Sequence, residues 1–162
     1  SKCCYGEQRH DDGCSRRHAL SRFAVAGIDH VHIYVRDRAV AARWYGTVLG
    51  LRRDRRFAAW AREAGGPLTL TAADGITHIA LFEDERRAGH GTTVALRTDG
   101  AGFIAFSKRA SRLSLFDKRR RPSAPRLQDH DQSLSLYFND PDGNPVELTT
   151  YEVIAARLGL RA

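Results

Sequence analysis

Apolar and polar residues alternate along residues 27–35, the first periodic stretch of the chain. A period of two predicts a β-strand, and its apolar face consists of Val31, Ile33 and Val35. The opposite face consists of Ile28, His30, His32 and Tyr34. The polar side chains on this face can bind protons or metals. The apolar face is therefore predicted to join a core, and the polar face is a candidate for chemistry.

A helix and three more strands are predicted to follow this strand. Apolar residues recur at helical spacing in residues 38–49, where Asp37 is placed to cap the helix and Gly50 to end it. Three strand-like runs come next, at residues 51–60, 67–71 and 77–82. A tight turn at Asp74-Gly75 predicts that the last two runs pair as a hairpin.

The same order of elements begins again after a polar linker at residues 83–91. A strand is predicted at residues 92–97, followed by a helix at 102–113 that Asp99 caps. A basic loop at 114–128 and a hairpin, formed by 134–138 and 146–151, are predicted after it. A terminal helix is predicted within residues 152–162. This repetition of strand, helix and further strands predicts a duplicated α+β architecture.

The turn of the last hairpin has the sequence Asp140-Pro141-Asp142-Gly143, in which proline and glycine supply the two dihedral angles that a tight turn needs. Alternation along the strand after it places Glu147 in mid-strand, on a face with Pro145, Thr149 and Tyr151. No lysine or arginine is near Glu147 in sequence. Such a carboxylate either faces water or has something to bind.

Composition and charge narrow the function classes. The 162 residues are 42% hydrophobic and 28% charged, and no apolar run approaches the roughly 18 residues of a membrane span. The net charge of +7 suits an anionic small molecule, whereas the scattered arginines argue against nucleic acid. The basic run at residues 118–121 is either a solvated loop or a rim over an anionic substrate.

Residues 1–26 show no sustained period and are expected to form a flexible extension. Cys3, Cys4 and Cys14 all lie there, so they cannot form a disulfide framework for the fold, and a reducing cytoplasm is expected. The spacing of the cysteines lacks a pair of zinc knuckles. The extension also lacks the long apolar core of a secretory signal.

Two motifs at opposite ends of residues 27–151 have a recognisable form. They are Ile28-Asp29-His30-Val31-His32-Ile33-Tyr34-Val35 with Asp37, Trp44-Tyr45 and Val48-Leu49-Gly50-Leu51, and Asp140-Pro141-Asp142-Gly143-Asn144 with Glu147-Leu148. Together they resemble the vicinal oxygen chelate superfamily, which includes glyoxalase I, bleomycin-resistance proteins, fosfomycin-resistance thiol transferases and extradiol dioxygenases. The resemblance implies two βαβββ modules, about residues 27–83 and 92–151, whose curved mixed sheets enclose a cleft, usually in a homodimer.

The resemblance also implies a metal site. His30 and Glu147 fall on the ligand positions of the first and last strands, and this donor pair suits Fe(II), Mn(II), Ni(II) or Zn(II). The ligand position that opens the second module falls on Thr93, or on Thr92 if the register moves by one, and a threonine hydroxyl is a poor ligand for these metals. We therefore expect His32 or His78 to act as the third ligand.

The remaining site predictions concern the substrate. Tyr34 and His130 are the candidate catalytic residues, and the expected substrate-binding residues are Tyr34, Trp60, Thr93 and Tyr137. One hypothesis is a divalent-metal-dependent oxygenase, lyase or thiol transferase that acts on a small molecule with adjacent oxygens. The alternative is a metal-free protein that sequesters a small molecule, as in the bleomycin-resistance branch. No glutamate matches the first-module ligand position of glyoxalase I, which argues against that activity.

Overall fold

The computed structural model describes Val25 and residues 27–161, so almost all of the predicted extension at residues 1–26 lies outside the described residues. Two four-stranded mixed sheets and three helices make up the described fold, which confirms the predicted α+β class. Each sheet belongs to one half of the chain, and this confirms the predicted duplication. Within these residues, none of the helices has the length and apolar character that a bilayer crossing requires.

The first module contains one helix and one sheet, and its elements are β1 (His30–Val35), α1 (Arg38–Leu49), β2 (Arg52–Arg53), β3 (Leu68–Thr71) and β4 (His78–Glu83). The strand order is β1-β4-β3-β2, and β1 runs parallel to β4. Helix α1 has the predicted bounds because Asp37 accepts hydrogen bonds from the amides of Ala39 and Val40, and Gly50 ends it in the left-handed region.

The predicted strand at residues 51–60 is wrong beyond its first residues. Only Arg52–Arg53 pairs with β3, because the Asp54 side chain accepts a hydrogen bond from the Arg56 amide and turns the chain. Two short 3₁₀ turns follow, at Arg55–Phe57 and Trp60–Arg62. These turns lie where the sequence pattern predicted a long strand.

The second module repeats the plan, and its elements are β5 (Val94–Arg97), α2 (Gly100–Arg109), β6 (Arg126–Asp129), β7 (Leu134–Asn139), β8 (Pro145–Thr150) and α3 (Val153–Arg161). Its strand order is β5-β8-β7-β6. Strand β6 corrects the prediction of an unbroken loop at residues 114–128. It is an edge strand with mostly exposed side chains, so it lacks the apolar alternation that would reveal it.

The helix-facing sides of both sheets form the core, as alternation predicted. Ile33 and Val35 are buried in the first sheet, and Val146 and Leu148 in the second. The aromatic side chains of α1 are buried as well, and the ring of Trp44 contacts that of Phe138 in the second module. One continuous apolar cluster therefore joins the two modules.

The turn between β7 and β8 is buried and connects the modules through polar contacts. The Asp140 carboxylate accepts hydrogen bonds from the amides of Asp142 and Asn144 and from the hydroxyl of Tyr45 on α1. The Arg36 guanidinium donates a hydrogen bond to the Asp142 carboxylate, and the side-chain amide of Asn144 donates one to the Tyr34 carbonyl. Burial raises the pKa of Asp140, and burial also raises the pKa of Tyr45, which stays a neutral donor.

Candidate functional site

Each sheet has one face turned away from its helix, and we call these the first and second open faces. Aligned partners in neighbouring strands share a face, so the register places His30 of β1 beside His78 of β4 on the first open face. The same rule places Glu147 of β8 beside Tyr137 of β7 on the second open face. All four residues were predicted as site residues.

His30 and His32 form a close pair on the first open face. Their Nε2 atoms lie 3.0 Å apart, and their rings stack with centroids separated by 5.0 Å. The His30 Nδ1 atom lies 2.6 Å from an Asp29 carboxylate oxygen. This hydrogen bond lowers the pKa of Asp29. In the tautomer whose Nδ1 proton is directed at Asp29, Nε2 keeps a lone pair that faces Nε2 of His32.

His78 is buried and already held by neighbours at both ring nitrogens. Its Nδ1 atom lies 3.3 Å from the Asp29 carbonyl oxygen, and its Nε2 atom lies 3.1 Å from Nη2 of Arg56. The Arg56 guanidinium also bonds Asp54, and this hydrogen bond lowers the pKa of Asp54 to about 2. Of the two histidines expected to supply a third ligand, His32 is the one whose ring nitrogen approaches His30.

Glu147 lies half-buried on the second open face. Its Oε1 atom accepts a hydrogen bond of 2.6 Å from the hydroxyl of Ser135, which is fully buried. Across Val25 and residues 27–161, no three histidine, cysteine, aspartate or glutamate side chains gather closely enough to hold an ion. The predicted ligand set of His30, Glu147 and a further histidine therefore stays a prediction.

Tyr137 lies between a histidine and an arginine. Its hydroxyl is 3.1 Å from Nε2 of His130, and the Arg126 guanidinium carbon lies 4.7 Å from its ring centroid. Tyr137 and Arg126 line a cavity of about 240 Å³ together with Lys118, which belongs to the predicted basic run. This arrangement offers an aromatic surface beside positive charge.

The other predicted substrate residues lie in three different surroundings. Tyr34 of the first open face is covered by Arg87, whose guanidinium carbon is 3.4 Å from its ring centroid. Thr93 is exposed and lines a cavity of about 250 Å³ that His32 also lines. Trp60 stacks on Phe57 with ring centroids 4.6 Å apart. The structure therefore brings Thr93 near His32, and it connects Trp60 to His78 through Phe57, whose ring centroid lies 5.6 Å from that of His78.

Sequence reasoning missed several partners of these residues. Asp29 precedes His30 directly, so its role as an orienting carboxylate has a local signal. Asp54 and Arg56 contact His78 from beyond β2, and Arg126 reaches Tyr137 from the strand that was not predicted. These contacts depend on strand order, which the residue pattern does not reveal.

Comparison with known proteins identifies the family. A profile of the Glyoxalase/Bleomycin resistance protein/Dioxygenase superfamily matches residues 27–148. A search of curated protein sequences finds no match.

Solved structures share the fold at low sequence identity. TnmS3, an antibiotic binding protein from a Streptomyces species, has a TM-score of 0.62 and 19% identity, over 80% of this chain and 99% of its own. Lactoylglutathione lyase from Agrobacterium tumefaciens has a TM-score of 0.57 and 18% identity, over 80% and 97%. A glyoxalase/dioxygenase from Nostoc punctiforme has a TM-score of 0.56 and 18% identity, over 78% and 91%. The profile covers most of the sequence, and the chain therefore belongs to the Glyoxalase/Bleomycin resistance protein/Dioxygenase superfamily.

Proposed function

We propose that the protein is a divalent-metal-dependent enzyme that acts on a small molecule with adjacent oxygens, with His30, His32 and Glu147 as the metal ligands. The observation that carries this proposal is the approach of the two imidazoles, whose Nε2 atoms are 3.0 Å apart. Nitrogen ligands lie about 2.0–2.1 Å from an ion such as zinc, so nitrogens at this separation subtend an angle of about 94°. That angle suits two neighbouring positions around one ion.

The residues around the pair support the same proposal. Asp29 accepts a hydrogen bond from Nδ1–H of His30, which orients the ring and leaves Nε2 as the nitrogen that can bind an ion. His32 is further packed by the ring of Phe82, with centroids 4.6 Å apart. A bound ion would supply Lewis-acid stabilisation of negative charge on a chelating substrate. The chain itself orients both ligands before any ion arrives.

We infer that Glu147 reaches the ion from a second copy of the chain in a homodimer. In the described residues Glu147 lies on the second open face, bonded to Ser135, and does not group with the two histidines. With His30 and His32, a Glu147 carboxylate from a second copy would make a 2-His-1-carboxylate set.

Metal titration of protein purified without a tag tests the proposal. We expect Fe(II), Mn(II), Ni(II) or Zn(II) to raise the melting temperature of the wild type, and a chelator to reverse the shift. His30→Gln, His32→Gln and Glu147→Gln should each abolish the shift. His90→Gln is the matched control, because His90 is exposed and lies in the linker.

Elemental analysis of the same proteins supplies the second measurement. The wild type and His90→Gln should retain one ion per chain after dialysis, and the three ligand variants should retain none. An equal metal-dependent shift in all five proteins, or no bound ion in the wild type, would contradict the metal site.

Metal-free binding of a planar anion is the second candidate function. The specific observation that favours it is the contact of Arg126 with the Tyr137 ring beside a cavity of about 240 Å³. This candidate predicts saturable binding of a planar anion that persists in a chelator and weakens in Arg126→Gln. Binding that disappears when metal is removed would exclude it.

A further inference from the structure

Large apolar side chains are exposed along the outer face of helix α3, on the side away from the core. Ile154 and Leu158 are 76% and 64% exposed, and Tyr151, just before the helix, is 66% exposed. Their spacing of three and four residues places the three side chains on one stripe. The opposite side of the helix is already packed, since Ala156 is fully buried and Leu160 contacts the apolar core. The stripe is therefore a second apolar face of α3, which the described residues leave exposed.

Helix α3 lies on the helix-facing side of the second sheet, so the stripe points away from the second open face. Arg157 anchors the helix there through hydrogen bonds to the Asp129 carboxylate at the end of β6. Glu147 lies on the other side of the same sheet. A partner bound at the stripe would therefore leave Glu147 accessible.

Negative charge lies at the end of the stripe where α3 begins. A cavity of about 320 Å³ is lined there by Tyr151, Asp99, Glu152 and Arg97. Each of the two carboxylates accepts a hydrogen bond from a backbone amide in the first turn of α2, and neither forms an ion pair within the described part of the chain. Two carboxylates beside one guanidinium leave this cavity with a net negative charge.

Positive charge lies at the other end of the stripe. Arg161 is the last residue of α3, is exposed, and forms no ion pair with any carboxylate among residues 27–161. Two such helices in antiparallel contact would place Ile154 of each copy against Leu158 of the other. Because α3 is only about 12 Å long, the same contact would bring Arg161 of each copy to Tyr151 and Glu152 of the other. The face is therefore complementary to itself in charge, and antiparallel helix dipoles add to the attraction.

We propose that the outer face of α3 binds the same face of a second copy of this chain, as an antiparallel helix pair related by a two-fold axis. Three large side chains per copy offer less area than the roughly 800 Å² per partner of a standard interface. The association is therefore weak and depends on protein concentration. It uses neither open face, so it forms with or without the homodimer proposed for the metal site.

Sedimentation equilibrium of the full chain, with a chelator present throughout, tests the apolar stripe. We expect the weight-average mass of the wild type to rise with concentration. Ile154→Gln combined with Leu158→Gln should weaken this association about tenfold or more, because the centre of the interface loses its apolar contacts. Ile76→Gln is the matched control, since Ile76 is similarly exposed but lies in the turn before β4. Any association through the open faces is common to all these proteins, so the difference between them reports the α3 contact.

A charge exchange tests the antiparallel arrangement. Arg161→Glu and Glu152→Lys should each weaken the association when studied alone, because like charges then meet at both ends of the helix pair. An equal mixture of the two variants should recover it, since each end again joins opposite charges. Circular dichroism checks that both variants fold. The proposal is overturned if the stripe variant associates as the wild type does, or if the mixture associates no better than the separate variants.

Discussion

Single polar contacts in this protein join residues that are remote in sequence. The hydroxyl of Tyr45 bonds Asp140, which lies 95 positions later, and both groups are buried. The hydroxyl of Ser135 likewise bonds Glu147 across two neighbouring strands. At the residue scale, the candidate chemistry depends on such partners, because they decide which atom carries a proton and which charge is compensated.

Tyr45→Phe tests the contribution of the contact between the modules. The substitution keeps the buried ring and leaves Asp140 with one donor fewer, so we expect a loss of about 1–3 kcal/mol in the free energy of unfolding. Urea denaturation measures it. Tyr151→Phe is the matched control, since Tyr151 is 66% exposed and should change stability by less than about 0.5 kcal/mol. Equal effects of the two substitutions would contradict the assignment.

Arg56→Gln tests the charge pair beside His78. The hydrogen bond from Arg56 lowers the pKa of Asp54 to about 2, so the stabilisation is present above the unfolded-state pKa of about 3.8 and is lost as the pH falls toward 2. The variant should therefore be less stable than the wild type at pH 6, and the difference should shrink between pH 4 and pH 2.

Denaturation at several pH values measures the difference in stability, and carboxyl-carbon NMR measures the pKa of Asp54. The pKa of Asp54 should rise in Arg56→Gln and stay low in the control Arg55→Gln, whose side chain forms no ion pair with the described acidic residues. An unchanged pKa in Arg56→Gln would show that another group lowers it.

Element boundaries followed local signals wherever a cap or an apolar period was present. Helix α1 has its predicted bounds because Asp37 and Gly50 act within a few residues of each end. Helix α2 begins after the predicted cap, Asp99, but ends at Arg109 and continues as a 3₁₀ turn. The predictions failed for β2 and β6, which are edge strands in the two sheets. The side chains of β6 are mostly exposed, so no apolar pattern marks that strand. Strand β2 is shorter than predicted because the Asp54 side chain turns the chain after Arg53.

The linker between the modules packs closely against the turn between β7 and β8 at Gly89. Gly89 has a φ of +79°, and a Cβ atom there would overlap the carbonyl oxygen of Asp142 in the buried turn. Gly75 has a similar φ of +74° but open space around it. Gly75→Ala should cost about 1–2 kcal/mol from backbone strain alone, and Gly89→Ala should cost more because the linker must also move.

Urea denaturation of the two glycine variants measures this difference. Each variant is the control for the other, since both lose the same conformational freedom. If Gly75→Ala destabilised the protein as much as Gly89→Ala, the close packing of the linker against the turn would make no contribution to the free energy of unfolding.

The whole molecule consists of two similar modules with a shared core and two open faces. The predicted metal ligands lie on different open faces, His30 and His32 on the first and Glu147 on the second. The proposed homodimer would bring them together from two copies. The proposed metal site therefore forms only when two chains assemble into the homodimer.

Mixed dimers test this arrangement. Chains carrying His30→Gln and chains carrying Glu147→Gln are co-expressed with two different tags that contain no histidine, and dimers with both tags are isolated. We expect each mixed dimer to bind one ion, half of the wild-type content, because one of its two sites keeps all ligands. Dimers of either variant alone should bind none. Mixed dimers without any ion would show that the ligands act within one chain.

The sequence by itself determined the fold class, the duplication, the bounds of α1 and the faces of the strands, because these follow from local periodicity and from caps that act over a few residues. It also predicted the individual residues His30, His32, Glu147 and Tyr137 as candidate site residues. Tertiary structure decided most of their partners: Arg56 holds His78, Ser135 binds Glu147 and Arg126 covers Tyr137. Asp29, which orients His30, is its neighbour in sequence. Most of these partnerships arise from strand order and from loops that fold back over a sheet. Strand order and loop placement depend on interactions between residues that are distant in sequence, so no local sequence pattern predicts these contacts.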